Sequence, residues 1–175
     1  HRTPYQYLPF RFSLENSWLS RISTRVWPRS CCWFFVSGVR CTFAWKSLSE
    51  ALILSGDMEG GFTASERACR IARTSPFKHY WDTGHCIVAI ACNRPQEAIE
   101  AGEAAVRSAP LSRPGHRHLL ALYALEGQLD KAQAVAEKLA KIEPGFSLDK
   151  LVNDDSYPVR TLRNKGLLEP IRALL

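Results

Sequence analysis

An all-α fold, built as a solenoid of helical hairpins, is what the sequence predicts, and three observations carry it. Pro76, Pro110 and Pro144 recur 34 residues apart, each after an Ala-rich stretch of helical character. Small residues keep the same phase: Ala64, Ala98 and Ala132 stand twelve positions before each proline, and Ala68, Gly102 and Ala136 stand eight before. Two antiparallel helices that must also stack on the next pair can approach closely only where side chains are small, so these positions mark a contact face. Proline ends each hairpin because it lacks the N–H and disfavours helical geometry at the preceding Ser75, Ala109 and Glu143.

A 34-residue interval is the tetratricopeptide (TPR) period, and it predicts about three TPR-type repeats over residues 45–78, 79–112 and 113–145, followed by a C-terminal cap over 146–175. In the first repeat a helix is expected over 44–54, then a loop holding Gly56, Gly60 and Gly61, then a helix over 62–73. The second repeat reads as helices over 80–91 and 95–108. Asn93 stands between them where a left-handed turn residue is needed, and Pro95 suits the first helical turn. The third is the most regular, with Leu119, Leu120, Tyr123, Ala132, Ala136 and Leu139 at helical spacing around Gly127. Beyond it, 146–152 predicts a short helix, 153–158 a turn, and 159–175 an amphipathic closing helix in one or two pieces that covers the apolar end of the stack.

The first 44 residues differ from the rest. Residues 1–45 hold six Arg against one acid, Glu15, whereas residues 46–175 are nearly neutral, so the net charge of +6 is concentrated at one end. Four of the five Trp and three of the six Cys lie there, with no Lys or Asp. Two readings stay open: a degenerate upstream repeat, or a truncated or misframed reading frame. The apolar run 31–39 is interrupted by Arg40 and is far shorter than the roughly 20 residues of a bilayer helix, so no membrane span is expected. Irregularly spaced cysteines and the lack of a signal-peptide pattern predict a cytoplasmic chain.

The stretch 75–168 resembles the C-terminal TPR region of bacterial multidomain signalling proteins, notably class III adenylate/guanylate cyclases and winged-helix regulators. The residues that carry the resemblance are Ser75-Pro76 with Tyr80 and Trp81, Arg94-Pro95-Gln96-Glu97-Ala98, and Gly127-Gln128-Leu129-Asp130-Lys131-Ala132. Glu143-Pro144-Gly145-Phe146-Ser147-Leu148, Tyr157-Pro158, Leu162-Arg163 and Lys165-Gly166-Leu167 continue it. The resemblance implies a regulatory, partner-binding module attached to an output domain, and it brings no catalytic residues into this chain. Asp82 and His85 depart from it, standing where large apolar residues are usual.

Catalytic, metal and cofactor sites are not expected. His79, His85, Cys86 and Cys92 lack the tight ligand pairs of a zinc site. His79 and Cys86 lie two helical turns apart, about 10 Å, too far for a nucleophile and its base. Gly60-Gly61 lacks the Lys of a phosphate-binding loop, and His116 and His118 read as solvated. The candidate site is instead a groove lined by the first helix of each repeat. Its 34-residue phase selects Lys46, Ser49 and Ile53, then Tyr80, Thr83, Ile87 and Ile90, then Arg117 and Ala121. A mixed, mildly apolar groove suits a peptide, a neighbouring helix or an upstream domain of the same polypeptide. The alternative is a nucleic-acid-associated regulator using the basic first segment.

Overall fold

The computed structural model of the chain describes residues 42–175, and every regular element among them is helical. Six long helices come first: α1 (Thr42–Ser55), α2 (Met58–Ile71), α3 (Lys78–Ala91), α4 (Pro95–Ser108), α5 (Arg113–Leu125) and α6 (Leu129–Ile142). A 3-10 turn, Ala72–Thr74, extends α2. Two short helices, α7 (Leu148–Asn153) and α8 (Arg160–Asn164), and a 3-10 segment (Glu169–Leu174) complete the chain. No strand occurs among the described residues, and no helix there is long and apolar enough to cross a membrane. The readings made on residues 1–41, including the Arg-rich segment and the run 31–39, lie outside the described residues.

Short turns make each pair of successive helices a hairpin. Asn93, at φ 58°, ends α3, and Gly127, at φ 69°, ends α5, so both hairpins turn through the left-handed region that Gly and Asn tolerate. The turn is closed in each by the same long bond, Arg94 N–H to the Ala89 carbonyl and Gln128 N–H to the Tyr123 carbonyl, at 2.9 and 2.8 Å. Pro95 and Pro114 sit in the first turns of α4 and α5, where a missing N–H breaks no helical bond.

From α1 to α6 each helix packs on its successor, and α1 packs on α3 and α3 on α5. The odd-numbered helices therefore form one layer, and the even-numbered helices flank it. The predicted small residues are at these contacts: Ala64, Ala98, Ala132 and Ala136 are buried. A Cβ on Gly102 would come within 2.9 Å of the Leu119 side chain, which sets how closely α4 approaches α5.

The first hairpin departs from the expected loop. Only Gly56 and Asp57 separate α1 from α2, and Gly60 and Gly61 belong to the first turn of α2. Asp57 caps that helix by accepting the Gly60 N–H at 2.9 Å. Gly61 is needed for contact rather than for turning, since a Cβ there would lie 2.6 Å from Ile53 Cδ1 and 3.1 Å from the Ser49 carbonyl oxygen. Compared with the later repeats, α1 ends two positions early and α2 starts three positions early.

Helix α5 is buried from Gly115 through Ala124, on all sides, because α3, α4 and α6 surround it and the closing 3-10 segment lies across it. His116 and His118 are therefore buried, against the expectation that they are solvated. The cap reads as two pieces, α8 and the 3-10 segment, broken at Gly166 with φ 69°. It seals the core through Leu151, Leu162 and Ile171, all fully buried.

Candidate functional site

The predicted groove positions fall into two groups. Lys46, Thr83 and Ile87 are half-buried and Tyr80 is 48% exposed, so these four side chains reach the surface of the odd-helix layer over α1 and α3. Tyr80 stands edge-on to Trp81, with ring centroids 5.2 Å apart, which fixes its ring at the start of α3. Lys46 pairs with Glu50 one turn along, and Thr83 Oγ1 donates to the His79 carbonyl at 2.7 Å.

Ser49, Ile53, Ile90, Arg117 and Ala121 are buried and line no open surface. Ser49 Oγ donates to the Gly61 carbonyl at 2.6 Å, and Ile53 packs on Gly61, so both face α2. The early end of α1 and the early start of α2 are the cause, because a slip of two or three residues turns a helix face well away from its expected direction. Ile90, Arg117 and Ala121 are closed over for a different reason. The cap folds back across this end of the layer, and Lys165 Nζ donates to the Ala91 carbonyl at 3.0 Å.

Arg117 is the centre of a cluster that sequence reasoning does not assemble. Its Nε and Nη2 donate to the two oxygens of Glu143 at 3.1 and 2.7 Å. Tyr157 donates its hydroxyl hydrogen to Glu143 Oε1 at 2.7 Å, and the guanidinium lies 4.7 Å from the Tyr157 ring centroid. Burial works to raise the Glu143 carboxyl, but the Arg117 and Tyr157 hydrogen bonds and the Arg117 charge hold it below the usual carboxylate range. Burial and then the bond to Glu143 push the Tyr157 phenol up to about 12. Such an assembly fixes the cap to α5. The partners lie 26 and 40 residues from Arg117, and the only signal in the sequence is the Glu143-Pro144 and Tyr157-Pro158 pairs within the resemblance.

The candidate metal and nucleophile groups lie apart. Cys86 is buried beside Gly102, and burial pushes its thiol up to about 12, which leaves no thiolate for attack. Cys92 donates to the Met58 carbonyl and His85 Nδ1 meets Ser65 Oγ at 3.0 Å. Among the described residues no group of three His, Cys, Asp or Glu is placed to hold a metal ion. On the opposite side of the layer, Val106, Leu119, Tyr123 and Val135 line a small cleft with Glu103 and Lys138, and Tyr123 donates to Glu103 at 2.8 Å.

Three histidines make stability pH-dependent. Burial lowers the pKa of His85, His116 and His118 below 6.5. His116 and His118 each direct Nδ1 at a carbonyl one turn back, 2.7 Å away, which fixes the proton on Nδ1 in the neutral ring. As pH falls below about 6.5 the unfolded chain takes up protons that the folded chain refuses, so stability present above that pH is lost on descent. Thermal melts from pH 7.5 to 5 are expected to show a falling midpoint, and His118→Gln a shallower fall; a midpoint independent of pH over this range would refute the burial argument. No family model, curated protein or solved structure matches the chain.

Proposed function

We propose that the chain is a TPR-type module that binds a peptide or a helix on the odd-helix layer over α1 and α3, serving as the regulatory part of a signalling protein related to the cyclase-like group. The observation that carries this reading is the accessible set Lys46, Tyr80, Thr83 and Ile87 on one layer, beside an α5 end that the chain's own cap already covers. Tyr80 offers a rigid amphipathic ring and Ile87 an apolar contact, the kind of anchor that a helix or extended segment engages. The groove is accordingly two helices wide rather than three. No step of catalysis is assigned to any residue.

A peptide library displayed on phage and panned against the full chain tests this. Enriched peptides are expected to bind with micromolar affinity or better and to weaken about tenfold on Tyr80→Ala or Ile87→Ser, the loss of one interface anchor. Peptides that bind both variants as well as the parent would refute the assignment, and nucleotide cyclisation by the purified chain would refute the absence of catalysis.

A further inference from the structure

The two edges of the helical stack differ in charge. Because the hairpins are antiparallel, the starts of α1, α3 and α5 share an edge with the ends of α2, α4 and α6. Along this edge, residues 68–81 and 104–125 contain no acid, and the single acid within 138–147, Glu143, is buried on Arg117. Arg73, Arg107 and Lys141 recur there at 34-residue intervals, all exposed. Arg107 shares its charge with Glu103 at 3.2 Å. At the other edge acids stand at the three hairpin turns, Asp57 and Glu59, Glu97, and Glu126 and Asp130, with Arg94 paired to Glu59 and Glu97.

The basic edge also presents apolar side chains in the same period. Phe43, Phe77 and Leu111 lie 34 residues apart and are 65%, 65% and 75% exposed. Cations at the ends of α2, α4 and α6 complement those helix dipoles. That accounts neither for three large apolar groups so exposed at repeat intervals, of which Phe43 alone has a ring partner among the described residues, Trp81 at 4.8 Å between centroids, nor for the first turns of α1, α3 and α5, where the dipole favours acids and none is found.

We propose that this edge is a docking surface for a membrane bearing anionic phospholipid. Arg73, Arg107 and Lys141 meet the headgroups, and Phe43, Phe77 and Leu111 enter the boundary between headgroups and acyl chains. Positive charge with adjoining exposed apolar side chains matches a surface that is anionic outside and apolar a few ångströms below. A nucleic acid would use the cations and leave Leu111 without a partner, since an aliphatic side chain offers no ring for a base to stack on. The proposal concerns an edge of the stack and stands apart from the groove over α1 and α3.

Co-sedimentation of the full chain with phosphatidylcholine vesicles, with and without about 30% phosphatidylserine, tests it. Binding is expected only with the anionic lipid and is expected to weaken as salt rises. At about fivefold per cation, the triple variant R73E/R107E/K141E lowers partitioning by a hundredfold or more. The variant F77S/L111S, which alters no cation and only exposed positions, lowers it by about tenfold. No partitioning into anionic vesicles would overturn the proposal. So would partitioning that both variants leave unchanged, which would place binding in the Arg-rich residues 1–41, or a triple variant that loses binding to duplex DNA while its vesicle binding stays intact.

Discussion

Replacing Glu143 with alanine is expected to destabilise the protein by about 3 kcal/mol, because it leaves the Arg117 guanidinium buried without a counter-charge. Both side chains of this pair are only about a tenth exposed, so water cannot take over the role of the carboxylate. The two-point geometry from Nε and Nη2, with Tyr157 closing the third side, means that three groups lose partners at once. Arg117→Met, Glu143→Leu and Tyr157→Phe combined should recover most of the loss, since apolar side chains of similar volume are often as stable as a buried ionic cluster and no buried hydroxyl is then left unpaired. Urea denaturation of the two variants separates the outcomes. A Glu143→Ala protein as stable as the parent would mean that the cap is not held by this cluster.

Ile171→Ala is the second large effect, expected at about 2–5 kcal/mol. Ile171 is fully buried where the closing 3-10 segment lies on α5. Its neighbours Arg172 and Ala173 are exposed, so Ala173→Ser should leave the midpoint unchanged and serves as the control. Equal midpoints for Ile171→Ala and the parent would show that the cap is not part of the cooperative core.

Pro95, Asn93, Gly127 and the phased Ala residues made the hairpins of α3 to α6 legible in the sequence, because each acts within its own turn or at a contact repeated every 34 residues. Gly60 and Gly61 were misleading. A glycine pair reads as a turn, yet Gly61 permits close approach to Ser49 and Ile53, a contact only the folded hairpin defines. The same displacement rotated Ser49 and Ile53 out of the expected groove. His116, His118 and Arg117 are polar residues in a helix with no exposed face between Gly115 and Ala124. Nothing near them in sequence announces burial, because the segment that covers α5 arrives about fifty residues later.

The same covering segment bears on how the chain is made. Stacked hairpins that touch only their neighbours can fold in sequence as they emerge from the ribosome. Here α5 receives its last partner from Glu169–Leu174, and Lys165 reaches back 74 positions to Ala91. Without Glu169–Leu174 the chain would keep its first hairpins and leave an apolar face of α5 open, so this segment, made after every helix it covers, is the one that closes the fold.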